Sequence, residues 1–172
     1  MKNKLNQIKK WREQCLTKLV EWTKPYYTHW FKSTTEVWHH NRHSLKKFPP
    51  NSLGRALGDF LIKENLELLP KLEDHDVLHV LFNYKTTVVD EARMQFFLLG
   101  NRKRSLYALC TAIISIMIVP EYIRVFIREF HIGRKCRSIA KWDFRYLLYE
   151  PIDSLRDLMY QKKSVEEAPF LF

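Results

Sequence analysis

Glycine and proline are scarce in this 172-residue chain, four and seven residues respectively, and no Asn-Gly or Asp-Gly hairpin pair occurs. A sheet built from tight hairpins needs such turns, so their shortage argues against an all-β fold. Cysteine is nearly absent. Cys15, Cys110 and Cys136 are an odd number, widely spaced and without a CxxC pair. That excludes a disulfide framework or a thiolate zinc cluster and leaves reduced, mostly buried thiols. No uncharged run reaches the length of a membrane span. The longest, residues 105–119, rises about 1.5 Å per residue and falls short of the ~30 Å hydrocarbon layer. It reads as a buried helix, apolar all round, wrapped by the domain or lying against a lipid chain. Internal repeats and low-complexity segments are also missing.

What remains is a leucine-rich chain with helical periodicity, long enough for one domain with a proper core. We expect an all-α, single-domain helical bundle. The net charge of +10 is uneven: up to Pro50 there are eleven Lys/Arg against three Glu, so this arm holds +8 of it. Such a segment needs an anionic partner, a membrane surface or nucleic acid. It lacks the apolar core of a secretory signal and the Arg/Ser content of a transit peptide.

In order, Leu5, Ile8, Trp11, Cys15, Leu16, Leu19 and Trp22 recur at three- and four-residue steps and predict one amphipathic helix over 4–23, stopped by Pro25. Tyr26, Tyr27, Trp30, Phe31, Val37 and Trp38 follow among lysines and histidines. Amphipathic rings beside ammonium groups suit a lipid headgroup layer, and packing on the domain is the competing account. No groove-reading motif supports nucleic acid as a partner. His29, His39, His40 and His43 are irregularly spaced and read as solvated surface groups.

Pro49-Pro50 closes the arm, and Asn51 or Ser52 caps the next helix from Leu53 to Ile62. Its small residues Gly54, Ala56 and Gly58 allow close approach of another backbone or of a ligand. Further helices are expected up to Leu99, after Pro120 with an end at Gly133, and as two short pieces of 142–158 interrupted at Pro151. The last dozen residues read as frayed. The domain plan is thus a basic aromatic arm (1–48), a helical domain (49–160) and a flexible tail (161–172).

The chemistry concentrates at His75-Asp76-Val77-Leu78-His79, followed by eleven residues and Glu91. Histidines four apart share one helix face and can address a common ion. Asp76 lies 100° round from His75 and can ligate or orient an imidazole. Glu91, twelve residues past His79, would lie about 18 Å further along a straight helix, so the chain must turn back. Asn83 to Thr87 supplies that turn, because Asn tolerates a left-handed backbone and Thr caps well. Two neutral imidazoles and two carboxylates carry −2, which a divalent cation neutralises. Mixed N/O ligation suits zinc, iron(II) or manganese. A thermolysin-type peptidase would need Glu directly after the first His, where Asp76 stands. A His-Asp phosphohydrolase would need more His and Asp ligands than His131 can provide.

The pattern His75-Asp76-x-x-His79, eleven residues, Glu91 resembles the hallmark of the Coq-four family, the fourth coenzyme Q (ubiquinone) biosynthesis protein. Pro50 to Arg55 resembles that family's opening helix, Gly133-Arg134-Lys135 its Gly-Arg-basic step, and Trp142 to Met159 its closing segment. The likeness runs from about Pro49 to Met159 and leaves the arm outside; Asp90 stands where the family commonly has Gly.

The resemblance implies an all-α fold with an apolar pocket for a prenyl tail. It also implies a divalent metal on His75, Asp76, His79 and Glu91, with zinc the first expectation and iron, manganese or magnesium the alternatives. The implied activity is oxidative decarboxylation at ring carbon 1 of a polyprenylated hydroxybenzoate, the alternative being a non-catalytic prenyl-lipid scaffold. The implied partners are a polyprenylated quinone precursor or prenyl lipid, an anionic membrane surface, other quinone-biosynthesis proteins and a second copy of the chain. The implied location is cytoplasmic, peripheral on the inner (plasma) membrane.

Overall fold

The structure, a computed structural model, describes residues 6–18, 22, 37–103 and 105–161. Among them there is no strand, and helices follow one another along the chain. They are α1 (residues 6–18), α2 (Arg42–Leu45), α3 (Leu53–Lys63), α4 (Glu73–Phe82), α5 (Val88–Gly100), α6 (Leu106–Ile118), α7 (Ile123–Lys135) and α8 (Ile152–Tyr160). Two 3-10 turns, Pro120–Tyr122 and Phe144–Leu147, lead into the elements after them. The expected all-α single domain is what forms.

Local chemistry sets the element ends. Ser52 caps α3 by accepting from Arg55 N at 3.2 Å, and Ser105 caps α6 by accepting from Ala108 N at 3.0 Å. Asn51 instead takes a left-handed φ of 63° and its carbonyl accepts from Ile152 N at 2.9 Å, tying the start of α3 to the start of α8. Gly133 does not end α7, which continues to Lys135.

The described residues form two apolar cores. The larger gathers Leu45, Leu53, Leu57, Leu61, Val77, Leu81, Met94, Phe97, Phe144 and Met159; the smaller gathers Leu16, Ala92, Phe96, Ala112, Val119 and Phe126. Helix α5 feeds both, with Met94 and Phe97 on one side and Ala92 and Phe96 on the other. Its partner is α7. A Cβ added to Gly100 would sit 2.1 Å from the Phe130 carbonyl oxygen, and one on Gly133 would sit 2.2 Å from that of Phe97. Only hydrogen fits at this crossing. The same logic settles the small residues of α3, where a Cβ on Gly58 would lie 2.8 Å from Lys46 N, so tight helix packing explains them.

Two expectations change. The uncharged run is not buried all round: α6 turns Ala108, Thr111, Ala112 and Ser115 inward, while Leu106, Leu109, Ile113 and Met117 are 48–77 % exposed. Its small inward residues let it lie close to the domain, and its large ones face out. The thiols are less buried than expected, with Cys110 exposed and Cys15 and Cys136 half-buried.

The end of the arm is built into the domain. Trp38, Leu45 and Phe48 join the larger core, and Leu16 of α1 joins the smaller, where Arg12 pairs with Glu121 at 2.6 Å. His39, His40 and His43 are exposed, whereas His29 and the aromatic run over 26–31 lie outside the described residues. So does the expected tail beyond 161.

Gly100→Ala is expected to cost about 1–3 kcal/mol, because a new methyl would press on backbone at the α5–α7 crossing. The check is a denaturant midpoint: a fall with an unchanged slope supports the packing account, and an unaltered midpoint contradicts it.

Candidate metal centre

The hairpin from α4 to α5 brings the motif together. Asn83 closes α4 in the left-handed region at φ 56°, and Thr87 caps α5 by accepting from Asp90 N at 3.2 Å. These are the turn residues expected from sequence. The α4 end is held from outside as well. Arg156 of α8 donates to the Leu81 and Val80 carbonyls at 3.1 and 2.9 Å, satisfying acceptors the helix end leaves open. At the other end the buried Glu73 carboxylate accepts from Trp38 N at 2.9 Å.

Within this frame His75, His79 and Glu91 converge, with one ligand atom from each lying within 4.8 Å of the others. His79 Nε2 is 3.0 Å from Glu91 Oε1 and 3.2 Å from His75 Nε2, and His75 Nε2 is 3.3 Å from Glu91 Oε2. Glu91 lies in the first turn of α5, where the helix dipole favours a negative charge. His79 is the deep member, its side chain 3 % exposed, while His75 at 19 % and Glu91 at 15 % keep an open edge. The Phe60 ring stacks on the His79 imidazole at 5.7 Å between centroids.

The protons decide what this cluster can do. His79 Nδ1 lies 3.2 Å from the Tyr84 carbonyl, which can only accept, so Nδ1 carries the hydrogen. In neutral His79 the Nε2 lone pair therefore faces a carboxylate oxygen and a second imidazole nitrogen. With the His75 hydrogen on Nδ1 as well, three acceptor atoms face one point, and a proton or a metal ion between them relieves the repulsion.

In the metal-free chain the surroundings of His79 favour its protonated form. Burial alone would push the His79 imidazole down, but the Glu91 hydrogen bond and charge, the Tyr84 carbonyl and the Asp76 charge outweigh it and hold its pKa above the ordinary histidine value. Burial would likewise raise Glu91, yet the charge and hydrogen bond of His75, then those of His79, hold its carboxyl well below the usual carboxylate range. The donor set fits a divalent ion of the zinc or iron(II) type: two imidazoles, one carboxylate and an open edge.

Asp76 stands apart from the other three sequence-predicted ligands. It is buried on α4 and its charge reaches His79, but its carboxylate is outside the group of converging ligand atoms.

A second polar cluster, unread in the sequence, braces the same hairpin. The Tyr84 hydroxyl donates to Glu129 Oε2 at 2.9 Å, and Arg93 donates twice to Glu129 Oε1 at 3.0 and 2.6 Å. Arg93 also donates to Asp90 Oδ1 at 2.6 Å and lies over the Tyr84 ring at 5.2 Å. Burial, then the Glu129 charge, pushes the Tyr84 phenol far above its ordinary range. Through Glu129, α7 thus holds Tyr84, whose carbonyl orients His79. The Asp90 carboxylate accepts from the hydroxyl of the capping Thr87 at 3.2 Å and pairs with Arg93. The only hint in the sequence was charge at 90 and 93 flanking Glu91, since nothing local announces Glu129, thirty-six residues past Arg93.

No protein-family profile matches the chain, and no curated protein matches it. Solved structures do. One is a crystal structure from Nostoc punctiforme PCC 73102, of a protein provisionally named for ubiquinone biosynthesis. It is 18 % identical with a TM-score of 0.53, over 89 % of this chain and 81 % of that one. At this identity the likeness establishes a shared helical architecture across most of both molecules.

Proposed function

We propose that this chain is a metal-dependent protein of quinone biosynthesis, acting on a polyprenylated aromatic precursor and supporting oxidative decarboxylation at its ring carbon 1. The convergence of His75, His79 and Glu91 on one point is the observation that carries this reading. Two further facts support it: the motif's resemblance to the Coq-four family, and the fold shared with a structure provisionally named for ubiquinone biosynthesis.

His75, His79 and Glu91 would hold the ion, with zinc first and iron, manganese or magnesium as alternatives. A divalent cation supplies Lewis acidity, and iron would add redox capacity. The chain's own residues do the rest. Tyr84 fixes the His79 tautomer, so that Nε2 faces the site rather than the loop. Glu91 supplies negative charge and the half-exposed His75 edge leaves the approach open. Phe60, beside His79, gives an apolar wall against which an aromatic ring can lie. Asp76 would orient His79 through its charge instead of ligating. The second reading, a non-catalytic prenyl-lipid scaffold, draws support from this same point, since three converging ligands are one fewer than the resemblance implies.

Purified chain is expected to carry close to one equivalent of a divalent metal, and His79→Ala to lose it together with support of quinone synthesis. Metal-free protein, with a variant that still supports quinone synthesis, would end the enzymatic reading. Bound metal with synthesis intact in His79→Ala would favour the scaffold.

Metal affinity should also depend on pH. The ion and the proton compete for His79 Nε2, and the raised His79 pKa extends that competition upward from the ordinary histidine range. Affinity is therefore complete at alkaline pH and falls by about tenfold per unit once pH drops below that raised value. Isothermal titration between pH 8.5 and 5.5 checks this, and a flat profile contradicts it.

A further inference from the structure

At the other end of α5 lies a cleft that the metal centre does not use. Gly100 is nine residues past Glu91, about 14 Å further along the helix. The cleft, of about 910 Å³, is walled by Leu99, Leu106, Leu109 and Phe130 and lined also by Gly100, Ser105, Arg102 and Arg134. Among the described residues that line it none is acidic. Among the described residues neither guanidinium has a carboxylate partner, although most other arginines of the domain do: Arg42, Arg55, Arg93, Arg145 and Arg156 all sit in ion pairs. Arg102 moreover occupies a left-handed backbone position at φ 68°, where a side chain is disfavoured.

The cleft opens onto the exposed face of α6. Leu106, Leu109, Ile113 and Met117 follow at steps of three and four and form one stripe, with Met117 77 % exposed. On α7, Ile127, Phe130 and Arg134 share a face by the same spacing, and Ile127 is 47 % exposed. Arg124 and Arg128, also exposed, lie on the same helix. Thirteen residues of α6 rise about 20 Å, so this helix cannot cross a bilayer. Among the described residues no single helix is long and apolar enough to do so. It can lie in the interface with its outer stripe below the headgroups.

We infer that this cleft is a headgroup site for an anionic membrane lipid, which seats the outer face of α6 in the bilayer surface. Two guanidiniums without acid partners match a phosphate in charge and fork geometry. The apolar walls take the upper part of the lipid's chains, and the stripe displaces interfacial water. A second copy of the chain fits the same face poorly. A two-fold contact there would bring arginines toward arginines, with no carboxylate among the described residues of the cleft to answer them. The inference stands on different residues from the metal centre, so either can fail alone.

The test is co-sedimentation of the full chain with vesicles of phosphatidylcholine alone or with a third phosphatidylglycerol. The unaltered protein should prefer the anionic vesicles. Arg102→Gln with Arg134→Gln should weaken that binding by about 30-fold, two cationic contacts being lost. Ile113→Asp with Met117→Asp should abolish vesicle binding yet leave binding of soluble dioctanoyl phosphatidylglycerol in place. All four positions are exposed, so the variants should keep the helical circular dichroism and the metal content of the parent. Unchanged vesicle binding in the arginine pair overturns the inference. So does a dimer that the Asp pair dissociates, which would make this face an interface between copies. Inorganic phosphate binding to the cleft with no vesicle preference would make it a soluble-anion site, and would equally overturn the lipid assignment.

Discussion

Helix α5 is shared between two cores, and the placement of Glu91 depends on that. Phe97 and Met94 anchor it in one core and Phe96 and Ala92 in the other. Burying each large side chain is worth about 1.5–3 kcal/mol, so rotating α5 would expose one set or the other. The Gly100 and Gly133 crossing then locks its distance from α7, and the Tyr84–Glu129–Arg93 cluster locks its N-terminal half. A carboxylate on the first turn of so constrained a helix has little choice of direction.

That rigidity gives the histidine pair its chemistry. Two imidazole nitrogens 3.2 Å apart, with a carboxylate oxygen 3.0 Å from one of them, form an electrostatically unfinished group. In solution the side chains would swing apart. Here the helix spacing, the Tyr84 carbonyl and the stacked Phe60 ring prevent it. Packing therefore holds together a group that a cation, a proton or a metal ion, would stabilise. The open edge at His75 and Glu91 keeps the point reachable, whereas His79 stays deep enough for low dielectric to strengthen every contact it makes.

Much of this was legible locally. The His75, His79 and Glu91 spacing, the left-handed Asn83 and the capping Thr87 are short-range signals, and together they dictate a hairpin with ligands facing one another. Three features escaped for one reason: each is decided by a partner distant in the chain. Glu129 and Tyr84 meet across forty-five residues. Gly133 looks like a helix terminator until Phe97 is set against it. The uncharged run of α6 has the composition of a core helix, and composition alone does not tell that its small residues would face in and its large ones out. Asp76 shows a fourth limit. Neighbours on a helix differ by 100°, and the spacing of Asp76 alone does not tell whether it joins the three converging ligand atoms.

The central claim is a metal ion held by two imidazoles and one carboxylate. X-ray absorption at the edge of the metal that accompanies the protein reads this directly. The account predicts a first shell of N/O ligands at about 2.0–2.1 Å with two histidines' outer-shell scattering, reduced to one in His75→Ala. A spectrum without imidazole scattering, or one that His75→Ala leaves unaltered, would contradict it.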